Sequence, residues 1–531
     1  MSDQPQVLIG GRWRAADAPT GTFRAEDPTR GEAIGPAFPI SGAADAEAAL
    51  VAAVSVAADL AALPPECIAD FLERYADGID ADAETLVALA TAETALPAEP
   101  RLRSVELPRA SGQLRQAARA VREQAWSDAT IDTASGLRAH RAPLGKPVLV
   151  FGPNNFPFAF NAVAGSDFAS AIAARNPVIA KAHPSHPSTS RRLAQIARDA
   201  VQAAGLPPAS VQLLYHFDNA TGAALAGDSR LGAIGFTGSR TGGLALKQAA
   251  DAAGVPIYAE MSSVNPVFLL PGALAEGADA LAEAFFTSCT MGSGQFCTNP
   301  GIVVVPAGAA GDAFVAAATR RFAEAAPRPL FSRGVLDSLS HAVAGLTAAG
   351  ATVLAGGGPG KDAGYRFQPT LLSVHAEAFL KNARALQAEA FGPVSLLVRV
   401  DDDVAFAGVA EAFEGNLTGT LYRAADGRDD ALWQAIARHL RPRVGRLIAN
   451  RMPTGVAVSA AMNHGGPFPA TSHAGFTAVG MPAAIHRFTA LHSYDNVPDA
   501  LLPADLRDRN PGGVQRRIDG RWTTADVGAD A

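Results

Sequence analysis

Residues 147–157 read Pro-Val-Leu-Val-Phe-Gly-Pro-Asn-Asn-Phe-Pro. A short, unbroken apolar run closed by Gly152-Pro153 is the pattern of a strand buried on both faces, with a tight turn at its carboxyl end. The same unit recurs downstream. A helix is expected over 160–174 and a second strand over 177–180. The clearest helix comes next: Leu193, Ile196, Ala197, Ala200, Val201 and Ala204 share one face. Ser188 or Thr189 can cap its start, and Gly205 followed by Pro207 stops it. Further strands are expected over 211–215, 232–236 and 256–259, with a helix over 240–253, ended by Gly254, between the last two. Repeated strand–helix–strand units imply a parallel sheet covered on both faces, with ligands at the carboxyl ends of its strands.

Beyond residue 260 the alternation continues, with strands over 302–305 and 395–400 and helices over 278–287 and 311–325. A second α/β domain is the economical reading. The polar, basic stretch 130–142 lies between apolar blocks and suits a projecting hairpin or a linker better than core.

The chain has 531 residues, more than one core usually holds, so two or more domains are expected. A net charge of −7 argues against a nucleic-acid partner and favours a small molecule. Three cysteines, Cys67, Cys289 and Cys297, leave no disulfide framework and no four-thiolate metal site. The start lacks the features of a secretory signal, and the apolar stretch 48–58 is too short to span a bilayer. The expectation is a soluble protein of a reducing, cytoplasmic compartment, with no membrane partner and no metal.

Several residues can carry chemistry. Cys297 follows Gly292-Ser293-Gly294-Gln295-Phe296, and a thiolate on such a glycine-rich lead-in is a strong nucleophile toward carbonyl carbon; a buried structural cysteine fits the same segment. Cys289 and Cys67 read as structural. Glu260 ends the fifth strand, where a carboxylate is placed for general-base work or for capping a turn. Asn155, in a loop stiffened by two prolines, is an oxyanion donor or one of a pair of turn asparagines. Gly238 and Ser239 join a strand to a helix whose N-terminus can take a pyrophosphate. Residues 356–362 only mimic a phosphate loop, with Ala355 in the first glycine position and Asp362 where Ser or Thr belongs. A metal pair of His183 and His186, flanked by prolines, is not expected.

In order and spacing these segments resemble the aldehyde dehydrogenase superfamily over nearly the whole chain. The matching motifs are Pro153 to Pro157, Lys181, Phe236-Thr237-Gly238-Ser239, Glu260, Gly294 to Cys297, and Glu389-Ala390-Phe391-Gly392-Pro393. The resemblance implies an α/β fold with a Rossmann-like NAD(P)-binding domain (residues 1–129 and 143–259) and a catalytic domain (260–470). Residues 130–142 with 471–531 would form an oligomerisation hairpin and C-terminal segment, giving a homodimer or homotetramer.

It further implies that Cys297 attacks an aldehyde and that Asn155, with the Cys297 backbone N–H, holds the oxyanion. Hydride passes to a nicotinamide, and Glu260 activates water to hydrolyse the thioester. Lys181, His183, Gly238, Ser239, Glu389 and Phe391 would bind the cofactor. The chain departs from the family pattern at Asn154 (usually Trp), at Glu260-Met261-Ser262-Ser263 (usually Glu-Leu-Gly-Gly) and at Lys181-Ala182-His183-Pro184 (usually Lys-Pro-x-Glu). Pro184 removes the carboxylate that repels a 2′-phosphate, so NADP is the expected cofactor, with NAD possible. These departures are similar to one subgroup, the α-ketoglutaric semialdehyde (2,5-dioxopentanoate) dehydrogenases. Phe156 would then line the channel, and Arg109 and Arg451 are the candidates for gripping the substrate carboxylate, unless they are surface arginines. The alternatives are an NADP-dependent dehydrogenase of medium or long-chain aldehydes, a coenzyme A-acylating relative, which generally lacks a Glu260-type base, and a non-catalytic descendant.

Overall fold

The computed structural model describes residues 6–124 and 126–529. One seven-stranded sheet runs in the order Ile257–Glu260, Ala233–Thr237, Val148–Phe151, Val178–Lys181, Val211–Leu214, Val7–Ile9, Arg12–Arg14. Its first five strands are parallel, and the N-terminal pair adds antiparallel at one edge. All four residues of Val148–Phe151 are buried, as an unbroken apolar run demands of a strand covered on both faces. From this strand the chain moves outward through Val178–Lys181 and Val211–Leu214, then returns to the other side at Ala233–Thr237. That reversal is a topological switch point, where a crevice opens at the carboxyl edge. The register sets Phe151 beside Lys181 and Thr237 beside Glu260, so the segments leaving these strands emerge along one edge.

Two helical expectations are corrected. The helix expected over 160–174 begins only at Ser166. Before it, Asn161 closes a turn on itself: its Nδ2 donates to the Pro157 carbonyl (2.9 Å), its Oδ1 accepts from Val163 N–H (3.1 Å), and its carbonyl accepts from Gly165 N–H (2.7 Å). The helix Pro187–Ala203 forms as expected, but neither Ser188 nor Thr189 caps it. Instead the buried Glu93 carboxylate accepts from the backbone N–H groups of Ser188 (2.8 Å) and Thr189 (2.9 Å), placing negative charge at the helix N-terminus.

A second seven-stranded sheet runs Thr352–Ala355, Thr370–His375, Val394–Val400, Ile302–Pro306, Val267–Leu269, Asn416–Tyr422, Val444–Ala449, parallel throughout except for the first strand. Residues 130–143 form the expected hairpin, Thr130–Asp132 with Leu137–Pro143, extended by Thr489–Asp495 on one side and by Arg516–Ile518 and Arg521–Thr523 on the other. The grouping of all of 471–531 with this hairpin is corrected. Residues 471–488 dock on the first sheet, where Ser472 Oγ donates to the Ile257 carbonyl (2.7 Å) and accepts from Ala259 N–H (3.1 Å). The buried Arg487 guanidinium needs a counter-charge and finds it in Asp167 (2.5 Å). Only from Thr489 does the chain join the hairpin. Among the described residues no single helix is long and apolar enough to cross a membrane.

Candidate active site

The carboxyl edge of the first sheet faces the amino edge of the second, and the candidate residues gather between them. Cys297 lies ahead of the strand Ile302–Pro306, after three consecutive left-handed residues: Gly292 (φ 55°), Ser293 (φ 58°) and Gly294 (φ 68°). A Cβ on Gly294 would lie 2.2 Å from the Gly392 carbonyl oxygen, so this position demands glycine on two counts. The lead-in is tied down on both sides. Gln295 accepts Asn155 Nδ2 at its carbonyl (3.0 Å) and Phe331 N–H at its side chain (2.9 Å). Buried Asn265, itself left-handed (φ 46°), donates through Nδ2 to the carbonyls of Cys297 and Asn299, both at 2.9 Å.

The Asn155 loop is held from below by a residue that the sequence alone does not single out. Glu106, fully buried, accepts from the N–H groups of Phe158 (2.8 Å) and Ala159 (3.0 Å) and pairs with Arg101, whose Nη2 donates to the Asn155 carbonyl (2.9 Å). Asn155 thus spends one amide N–H on Gln295 and keeps the other.

Glu260, at the end of its strand, is 2 % exposed, and neither of its oxygens has an aligned hydrogen-bond partner among the described residues. His464, equally buried, places Nε2 3.0 Å from Glu260 Oε2 and 3.7 Å from Cys297 Sγ. Burial, reinforced by the Glu260 charge, holds the Cys297 thiol well above its ordinary range, while Arg109 opposes this. The free group at rest is therefore the protonated thiol. Nothing in the sequence around His464 marks it as functional, because Glu260 and Cys297 both lie far away along the chain.

Phe156, Phe160, Phe296 and Val479 form one apolar cluster beside these groups. Phe156 meets Phe160 at 5.2 Å and Phe296 at 5.5 Å between ring centroids, both edge to face. The Arg109 guanidinium lies over the rings of Phe160 (5.0 Å) and Phe156 (5.6 Å). Its Nε and Nη2 are buried with no partner among the described residues, and burial pulls its pKa down while Glu106, Cys297 and Glu260 support its charge. Arg109 lies in the first turn of the helix Leu107–Glu123. Arg451, by contrast, is exposed, on a cleft of about 550 Å³ that it shares with Ser288, Met291, Tyr422, Arg446 and Thr454. On that side the Cys297 charge supports that of Arg446, whose Nη2 is held by the carbonyls of Pro453 (3.2 Å) and Gly455 (3.1 Å).

At the first sheet's edge, burial pushes Lys181 down to about 8. His183 is held neutral by burial and by Lys181, and its Nδ1 accepts Ser185 N–H (3.1 Å), which leaves the proton on Nε2 as a donor. His216, after the next strand, has a buried Nδ1 without a partner among the described residues. Ser239 caps the helix Arg240–Ala252, accepting from Gly242 N–H (3.2 Å), and is exposed; the Gly238 N–H is already taken by the Glu260 carbonyl (3.1 Å). Glu389, raised by burial, accepts weakly from Ser263 N–H (3.4 Å) and from the Ser262 hydroxyl, so of the two serines that depart from the usual glycines Ser262 turns its side chain to this carboxylate, while the Ser263 hydroxyl is taken up by Asn265 and Asn416. Phe391 and Glu389 line a common cavity with Ser263 and Gly294.

A family model for the aldehyde dehydrogenase family matches residues 13–493. The chain belongs to the aldehyde dehydrogenase family. Among aldehyde dehydrogenases it is 42% identical over 528 residues, 97% of this chain and 99% of the relative, to the alpha-ketoglutaric semialdehyde dehydrogenase 2 of Azospirillum brasilense. It is 36% identical over 466 residues, 86% of this chain and 87% of the relative, to the alpha-ketoglutaric semialdehyde dehydrogenase of Acinetobacter baylyi. The solved structure of aldehyde dehydrogenase C from Pseudomonas syringae, complexed with NAD+ and octanal, shares the aldehyde dehydrogenase fold: TM-score 0.78, 21% identity, covering 93% of this chain and 97% of that one.

Proposed function

We propose that this aldehyde dehydrogenase oxidises 2,5-dioxopentanoate to 2-oxoglutarate through a Cys297 thioester, with NADP as the preferred cofactor. One observation carries the substrate: a buried guanidinium, Arg109, stands beside the nucleophile with two nitrogens unpaired among the described residues. An unpaired buried cation is costly, and a carboxylate on the substrate supplies the missing partner. The two alpha-ketoglutaric semialdehyde dehydrogenases among the relatives support the same reading.

Cys297 attacks the aldehyde carbon; the second N–H of Asn155 and the Cys297 backbone N–H receive the oxyanion. Glu260, buried and without an aligned donor, is the base for the water that hydrolyses the thioester. The cradle fits a nicotinamide dinucleotide: Lys181 at a strand end, the exposed N-terminus of Arg240–Ala252 with Ser239, and Glu389 with Phe391. Gly238 contributes a small turn rather than an N–H, since that group is engaged. Bound nicotinamide supplies the acceptor for the hydride lost from the substrate carbon. Lys181 as the charge, with His183 and His216 as hydrogen-bonding groups and Pro184 in place of a carboxylate, suits a 2′-phosphate. A free thiol suits a reducing cytoplasm, and the five-stranded sheet around 130–143 is the surface for assembly into a homodimer or homotetramer.

The test is a panel of 2,5-dioxopentanoate, succinic semialdehyde, glutaraldehyde and hexanal, each with NAD and NADP. The highest kcat/KM is expected for 2,5-dioxopentanoate with NADP. Arg109→Ala should raise KM for the oxo acid by about 10–100-fold, the size of a charge-assisted hydrogen-bonded contact, and leave hexanal within about threefold; Arg451→Ala should do less. Hexanal as the best substrate, with equal effects of Arg109→Ala on both, would favour the medium-chain reading, to which the aromatic cluster around Phe156 also lends itself. A strong preference for NAD would remove the cofactor assignment.

A further inference from the structure

We propose that His464 is a catalytic residue that takes the thiol proton of Cys297, so that Glu260 is kept for water. The inference rests on the reading of Cys297 as nucleophile and divides the proton chemistry between two bases. The reacting atoms of Glu260, Cys297 and His464 all lie within 4.8 Å of one another, with Nε2 between sulfur and carboxylate. If Glu260 took both protons, the one from the thiol would have to leave the site before water could be activated. An imidazole in this position removes that conflict.

His464 is held for the task. Its backbone N–H donates to Thr477 Oγ1 (2.9 Å) and its ring packs against Phe160 (5.7 Å between centroids). A Cβ on either of the next two residues, Gly465 or Gly466, would come within 2.4 Å of a backbone carbonyl oxygen, so the segment has no slack. The groups facing the sulfur come from five elements: Glu260, His464, Arg109, Arg446 and Glu389. Two are cations and two are carboxylates. An imidazolium formed here stands between the thiolate and the Glu260 carboxylate, which offset its burial.

The step balances. The S–H proton moves to His464 Nε2; sulfur bonds to the aldehyde carbon, and the carbonyl electron pair moves to oxygen. After oxidation of the carbon, water adds to the thioester and Glu260 takes one of its protons. The C–S bond then breaks, and the imidazolium returns its proton to the departing sulfur. Glu260 and the new carboxylic acid each release one proton.

Alkylation of the free enzyme by iodoacetamide, followed against pH, tests this without aldehyde or cofactor, with Cys297→Ser as the blank for Cys67 and Cys289. Wild type should show a plateau of reactivity between two inflections, the lower set by the imidazole that must be neutral to take the proton and the upper by the thiol itself. His464→Asn and His464→Phe should lower the rate at neutral pH by at least ~10-fold and leave one inflection at higher pH. Glu260→Gln should keep alkylation within about threefold. A single high inflection in wild type overturns the proposal, as does a wild-type profile in folded His464 variants or a loss in Glu260→Gln equal to that in His464→Asn. The wild-type profile decides even if both His464 variants misfold. Because no substrate enters the assay, failure of the substrate assignment leaves this result readable.

Discussion

The two seven-stranded sheets offer opposite edges to one cleft. The first contributes residues from the exits of its strands: Asn155, Lys181, Gly238-Ser239 and Glu260 all lie at or just beyond carboxyl ends. The second contributes residues from the entrances of its strands: Asn265, Cys297 and Glu389 lie ahead of Val267–Leu269, Ile302–Pro306 and Val394–Val400, and Arg446 lies near the start of Val444–Ala449. A side chain at the end of a parallel strand inherits its position from the sheet's register. One in the loop ahead of a strand has no such frame and must be fixed by tertiary hydrogen bonds and special backbone angles. Cys297, the proposed nucleophile, is on the second, more demanding edge.

Substitutions that tax each edge should therefore differ in size. Gly294→Ala, on the second edge, is expected to lower kcat/KM by more than ~10³-fold. It displaces Cys297, for which ~10² is typical of a 1 Å error, and also Gln295, whose carbonyl accepts from Asn155, the proposed oxyanion donor. Steady-state kinetics with a folding check by Tm would measure it, and a loss below tenfold would mean the lead-in is not rigid. Asn155→Ala should cost kcat about 10²-fold, through one oxyanion donor, with KM little changed. On the first edge, Gly238→Ala should cost less than ~10-fold: the nearest atoms its Cβ would meet belong to the Phe236 ring, at 2.8 Å, and its φ is not in the left-handed range. An effect as large as that of Gly294→Ala would erase the contrast between the edges.

The smallest effect is a pH dependence. Lys181 in the free enzyme is pushed down to about 8, so its ammonium is present below that pH and lost above it. A 2′-phosphate prefers the ammonium, and KM for NADP should rise several-fold from neutral pH to about 9.5 while KM for NAD stays nearly flat. Parallel rises for both cofactors would separate Lys181 from the 2′-phosphate.

The same asymmetry governs how much was legible in the sequence. The parallel strands of the first sheet, and the residues at their ends, are contiguous with the apolar runs that announce them. Glu93 capping the helix Pro187–Ala203, Glu106 holding the Asn155 loop, and His464 reaching Glu260 each depend on a partner far along the chain, so no periodicity marks them. The expected helix over 160–174 shows a smaller version of the limit. Its composition permits helix from Phe160, but the local hydrogen bonds of Asn161 compete successfully for the first turn. Arg446 and Arg451 differ by five positions, yet one is drawn inward on the strand Val444–Ala449 and the other sits past its end in solvent.

The contact of Gly294 with Gly392 has a consequence for how this site can change over time. Each glycine stands three positions from a working side chain, Cys297 on one segment and Glu389 on the other, so the two loops share a single joint with no room for padding. Inserting or deleting one residue in either loop would shift the Glu389 carboxylate against the Cys297 sulfur. Drift in their lengths is thereby locked together, while the surrounding surface remains free to vary.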